Sequence, residues 1–215
     1  MRPSSFTRLV MAAITEVLGQ FSVDARVTGW LMCTDNMPSG TAYKLGDVLT
    51  SRGGTTIEVK NTDAEGRLVM SDALVLANED GVDAIIDIAT LTGAALVSLG
   101  PATAPVFGND QVTVDLVRAA SDAVDEPVWQ LPLEQKYRTQ LDSEIADIAN
   151  LGGPFAGATT AALFLAHFVG ETPWAHLDIA GTMQTEKDDS WRTAGATGFG
   201  ARLLLEAART FSPSI

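Results

Sequence analysis

Residues 83–89, DAIIDIA, form an almost unbroken apolar run, and a strand of that kind must be covered on both faces of its sheet. Residues 158–169, ATTAALFLAHFV, are apolar almost all round, which marks a buried helix, and Gly170 closes it. The rest of the chain alternates around these two segments. Strand patterns occupy 26–34, 55–60 and 174–180, and helical patterns occupy 68–78, 111–124, 134–140 and 198–210. Residues 35–54 read as a turn-rich connection carrying Pro38, Gly40, Gly46, Gly53 and Gly54. Strands alternating with helices predict an α/β fold, a three-layer sandwich with a central, largely parallel (mixed) sheet flanked by helices. No repeat, low-complexity segment or linker interrupts it, so the 215 residues are expected to form one domain, 1–215.

The N-terminal stretch calls for a separate decision. Phe6, Leu9, Val10, Ala13, Ile14, Val17 and Leu18 make one apolar stripe at helical spacing, with Ser5 as N-cap and Gly19 at the end. Thr15 and Glu16 interrupt the apolar run, so a docked helix is favoured over a signal peptide. No segment reads as a membrane span, and a cytoplasmic protein is expected.

Charge narrows the function classes. Acidic residues number 27 against 14 basic, a net charge of −13. Such a surface repels phosphate backbones and anionic lipid, which argues against nucleic-acid and membrane partners. It suits metal ions and substrates with a free amino group. Cys33 alone excludes a disulfide framework and a multi-cysteine zinc site, and two histidines, His167 and His176, leave metal binding to oxygen ligands. Cys33 reads as a small buried strand residue.

Ligands in open α/β sheets gather beyond the carboxyl ends of strands. Three loops qualify: 61–67, 90–93 and the stretch from Gly181 onward. In the first, Asp63, Glu65 and Arg67 can project to one side of an extended segment. Two carboxylates so placed can bridge hard divalent cations, and Arg67 can hold an anion. The competing reading is a capping box, with Thr62 and Glu65 three apart at a helix start. Spacing alone favours the cap. Asp87 and Asp178 stand inside apolar strands, where a hydrogen bond to a neighbouring loop is the economical reading. His167 and His176 read as satisfied core histidines. The glycines of 195–200 match no nucleotide fingerprint and read as a tight lead-in to the last helix.

The run 61–68, NTDAEGRL, resembles the signature of the leucine aminopeptidase (cytosol aminopeptidase) family. Five further blocks follow the family's order: DNMPSGTAYKLGDV (35–48), DIATLTGA (87–94), EPVWQLPL (126–133), PWAHLDIAGT (173–182) and GATGFGARLL (195–204). The similarity runs from about residue 25 to the C-terminus. It implies a metal-dependent exopeptidase that removes leucine-like N-terminal residues from peptides. In that family two divalent cations, manganese or zinc, activate water for attack on the first peptide bond.

By resemblance, Asp63 and Glu65 are metal ligands, and Arg67 is catalytic through a bicarbonate-like anion that serves as general base. Ala64, Gly66 and Leu91 complete the anion pocket, and Thr90, Leu91, Thr92 and Gly93 line the substrate cleft. A peptide with a free N-terminus is the implied partner, and a homo-oligomer, a hexamer of two trimers, the implied assembly. Complete members carry an earlier segment with a lysine and an aspartate, and a further aspartate before a helix. Pairing Ala12 and Ala13 with that helix puts Arg8 where the last aspartate would fall. The expectation is a truncated catalytic domain short of three ligands. The alternatives are a fragment, or a non-catalytic remnant acting as a scaffold or partner-binding protein.

Overall fold

The computed structural model describes residues 25–34, 37–188 and 192–212. The expected N-terminal helix and Arg8 lie outside these residues. In chain order the strands are β1 (Val48–Thr50), β2 (Thr56–Glu58), β3 (Ile85–Ala89), β4 (Ala104–Gly108), β5 (Val128–Gln130), β6 (Ile148–Ala149), β7 (Trp174–Asp178), β8 (Gln184–Thr185) and β9 (Gly195–Ala196). The helices are α1 (Glu65–Glu79), α2 (Gly93–Leu99), α3 (Gln111–Val124), α4 (Gly157–Val169) and α5 (Ala201–Thr210), with a 3-10 helix at Gln135–Leu141.

The central sheet has the order β3-β7-β4-β5. Its β3–β7 and β4–β5 pairs are parallel and its β7–β4 pair antiparallel. Strand β7 is buried throughout, and its alternation builds two cores. Trp174 faces a core shared with α1, α4 and Phe107 of β4. Ala175 and Leu177 face the opposite core, with Val114 and Val117 of α3 and Leu203 and Ala207 of α5. The expected α/β sandwich with a mixed sheet is therefore present. A smaller sheet, β1-β2-β6, pairs β2 antiparallel with β1 and parallel with β6, and its Ile57 and Ile148 join the first core.

Several expectations need correction. Residues 26–34 form no strand. Val27, Leu31 and Met32 are exposed, and so is Cys33, which was expected inside a strand. β-propensity describes fit to a pleated surface, and no described strand lies alongside this one. Strand β1 arises inside the expected connection, because Thr55–Thr56 turns back onto it across Gly54, at φ +86°. The 134–140 helix is a 3-10 turn. His167 is exposed rather than a core residue, because it sits on the outer side of α4, edge-on to Phe168. Partial desolvation of its ring by the neighbouring chain pulls its pKa down and Arg138 pulls the same way, while Asp147 opposes them. Helix α2 and strands β4 and β5 carry no sequence pattern long enough to have been recognised.

Two buried charges tie distant segments together. The Glu126 carboxylate, 2 % exposed, accepts from Gly200 N and Leu203 N at 3.0 Å each and from Arg202 Nε at 3.3 Å. It thereby supplies the cap that α5 lacks in its own sequence. The tight lead-in is real: Gly200 has φ +92°, and a Cβ there would meet Ile88 Cδ1 at 2.1 Å. The second is the Asp87 carboxylate paired with His176, which is fully buried between the rings of Trp174 and Phe107 at centroid distances of 6.1 and 6.2 Å. Its register partner Asp87 bonds its Nδ1 and also accepts from Trp174 Nε1 at 2.6 Å. Asp87 thus satisfies side chains of β7 rather than a loop, and His176 is only half satisfied, since its Nε2 has no partner.

Two stability predictions follow from these pairs. Glu126→Ala leaves two buried N–H groups unpaired and should cost about 2–4 kcal/mol in urea unfolding, with Glu126→Gln losing less. Burial pulls the His176 pKa down, but the charges of Asp87 and Asp178 and the Asp87 hydrogen bond prevail over it and over Arg67, and hold it above the usual 6.5. Its contribution is therefore complete below pH 6.5 and fades as pH rises through the higher folded value. Denaturation midpoints should fall across that window in the unmodified chain and lose this slope in His176→Phe.

Candidate active site

The acidic turn begins where β2 ends. Val59, 1 % exposed, exchanges backbone hydrogen bonds of 2.9 Å with the Gly46–Asp47 stretch, which anchors the last ordered step of the strand. Asn61 Oδ1 then accepts from Asp63 N at 2.9 Å, an Asx turn that reverses the chain. The Tyr43 hydroxyl holds the same turn by donating to Thr62 O at 2.9 Å. Desolvation raises the Tyr43 pKa, and the charges of Glu65 and Asp63 raise it further, so both carboxylates act on that phenol.

Helix α1 starts at Glu65 with Ala64 as N-cap and no side-chain cap hydrogen bond. Thr62 and Glu65 therefore do not form the capping box that spacing favoured. Glu65 lies in the first turn, where a negative charge suits the helix dipole. The early start also redirects Arg67. Successive helical residues turn by about 100°, so Arg67 points away from Glu65 and into the core. It is 5 % exposed and donates from Nη1 to Asn150 O at 3.0 Å. Asp63 is exposed and Glu65 half-buried, and the charge of Glu65 still acts on Arg67.

Burial pulls the Arg67 guanidinium down to about 10, while Asp178 and Glu65 pull the other way, and it keeps its charge at neutral pH. Its Nε is buried without a hydrogen-bond partner. An unsatisfied guanidinium N–H of this kind fits a small oxyanion.

The second loop lies close to the first: a Cβ on Gly66 would sit 3.4 Å from Leu91 Cδ1, an ordinary van der Waals distance. Asp178, 1 % exposed at the carboxyl end of β7, holds the loop from below. It accepts from Leu91 N at 3.1 Å, Thr92 N and Ala180 N at 3.2 Å, and Thr92 Oγ1 at 2.6 Å. The expectation that Asp178 bonds a neighbouring loop is met. Thr92 also caps α2 by accepting from Ala95 N at 3.1 Å. Thr90 and Gly93 are exposed at the rim, and Ala64 is buried beneath the turn.

Asp63 and Glu65 supply oxygen donors suited to hard cations, but two side chains do not close a coordination shell of about six. Among the described residues no three His, Cys, Asp or Glu side chains gather into a metal-holding group. The described residues thus do not fit a whole metal centre. A cavity of about 330 Å³ lies elsewhere, lined by residues of α3 and β5 such as Ser121, Val128 and Trp129. No helix among the described residues is long and apolar enough to cross a membrane.

Sequence reasoning missed Tyr43 and Asn150. Tyr43 was visible only as one residue of the 35–48 block. Asn150 left a faint trace, a polar residue ending the apolar pair Ile148–Ala149 ahead of the glycines Gly152 and Gly153.

The blocks that build this site have close counterparts in known proteins. A protein named "Probable cytosol aminopeptidase" from Geobacter sulfurreducens is 48 % identical over 197 residues, covering 92 % of this chain and 40 % of that protein. Proteins of the same name from a Cyanothece species and a second Geobacter are 48 % and 52 % identical, over 88 % and 84 % of the chain. The chain spans about two fifths of the length of these relatives. The profile of the catalytic domain of the cytosol aminopeptidase family matches residues 8–205, and the chain belongs to that family.

Proposed function

We propose that this chain carries one wall of the site of a metal-dependent aminopeptidase that removes leucine-like N-terminal residues from peptides. The observation that supports it most directly is the buried Arg67 guanidinium with an unpaired Nε beside the Asp63–Glu65 turn. In this reading Arg67 would hold a bicarbonate-like anion, and such an anion would supply a general base there. Backbone groups at Ala64 and Gly66 border the anion. Leu91 N–H is already engaged by Asp178, so Leu91 contributes its side chain and position. Thr90, Thr92 and Gly93 form the adjoining cleft wall, kept in place by Asp178. Asp63 and Glu65 offer oxygen ligands to manganese or zinc, and a productive centre needs further ligands beyond the described residues. The net charge of −13 suits a substrate with a protonated amino terminus. A cytoplasmic homo-oligomer, hexameric in the family, belongs to the same reading.

A second reading, a non-catalytic scaffold or partner-binding protein, is favoured by one observation: among the described residues no three His, Cys, Asp or Glu side chains gather into a metal-holding group.

The two separate on purified chain. Titration calorimetry should show weak Mn²⁺ binding, with Kd in roughly the millimolar range expected of an under-coordinated site. Glu65→Ala should remove it, and Leu-p-nitroanilide hydrolysis should be far slower than by a full-length relative. Fast turnover that a chelator abolishes would show that the chain completes its own site. Absence of any Mn²⁺ response that depends on Glu65 would favour the scaffold.

A further inference from the structure

Asn150 is the first residue past β6, the strand that runs parallel to β2 with Ala149 opposite Glu58. It is 0 % exposed and every polar group it has is engaged. Its backbone N donates to Glu58 O at 3.0 Å. Its side-chain Oδ1 accepts from Lys60 N at 2.8 Å and Asn61 N at 3.2 Å, and its Nδ2 donates to Asn61 O at 2.7 Å. Its backbone carbonyl accepts from Arg67 Nη1 at 3.0 Å.

The two N–H groups and the carbonyl fix which end of the amide is oxygen and which is nitrogen. No other side chain of this size offers both an acceptor and a donor here. Aspartate would turn a carboxylate toward the Asn61 carbonyl, and leucine would leave three partly buried backbone groups without this partner. The contacts converge on the two ends of the candidate site. The amide grips the backbone just before the acidic turn, and the carbonyl grips the guanidinium just after it. Both partners lie 83 or more residues away in sequence, so nothing local to the 61–67 loop makes this connection.

We propose that Asn150 is the positioning residue of this site, a single buried group that sets the Asp63–Glu65 turn and the Arg67 guanidinium relative to each other. It touches no reacting atom and acts through the backbone of Asn61 and the side chain of Arg67. The proposal rests on the reading of Arg67 as an anion holder.

The test uses the whole ¹⁵N-labelled chain, with amide exchange at Lys60 and Asn61 and the Arg67 Nε–H resonance titrated with sodium bicarbonate. In Asn150→Ala, exchange at Lys60 and Asn61 should rise roughly tenfold or more relative to β3 and β7 amides, as loss of a local clamp requires. Bicarbonate affinity at Arg67 should weaken by a similar factor. Leu141→Ala, a core truncation outside the clamp, should leave both ratios unchanged at equal loss of stability. Asn150→Asp keeps the two accepted bonds and loses the donated one. It should move the same readouts by less, and it decides the matter if Asn150→Ala does not fold. Exchange at Lys60 and Asn61 that rises only in step with the core would overturn the proposal, as would an unaltered bicarbonate response in a variant that has lost the clamp. An Arg67 resonance indifferent to bicarbonate in the unmodified chain would instead count against the anion reading, and the exchange ratios would still decide the clamp.

Discussion

A carboxylate that is almost wholly buried organises this structure. Asp178 closes the central strand β7, and a charge left bare at 1 % exposure would be costly. Three backbone N–H groups and a threonine hydroxyl answer it, and all belong to the loops that leave β3 and β7. Satisfying one charge therefore fixes the path of residues 90–93, the cap of α2 and the first turn after β7. It also places a negative charge beside Arg67, which helps that guanidinium stay ionised in a buried position. Fold and site meet in the same hydrogen bonds.

The strand carboxyl ends explain why the site lies where it does. Turn 61–64 leaves β2, loop 90–93 leaves β3, and the 179–182 turn leaves β7, on the same side of the molecule. The first two come close where Gly66 faces the Leu91 side chain. The smaller sheet enters through β6, which brings Asn150 under the acidic turn. Each sheet thereby holds one of the two loops, the smaller through the Asn150 amide and the central one through the Asp178 carboxylate.

Elements with strong local patterns were legible in advance. Helix α3 runs over the expected residues because Asp110 caps it, accepting from Thr113 N at 2.7 Å, and its apolar positions repeat at helical spacing. Strand β3 and helix α4 were visible as apolar runs of the right length. Residues 26–34 looked equally strand-like and are not a strand, because pairing needs a neighbour that propensity does not supply. His167 was misplaced for a related reason: one outward position on a largely buried helix leaves no mark in an apolar sequence. The capping box failed at a single residue, since α1 begins at Glu65 with Ala64 as its cap.

The sequence by itself determined the family, the alternation of strands and helices, the acidic surface, and the identity of Asp63, Glu65 and Arg67 as the residues of interest. Only the tertiary structure decided how those residues face. The helix start turned Arg67 inward, Asn150 and Asp178 took hold of the two loops, and His176 paired with Asp87 across the central sheet. The reason is physical. Residue types and short spacings are local properties, whereas the direction of a buried polar side chain is set by partners some eighty to ninety positions away along the chain, which neither composition nor periodicity records.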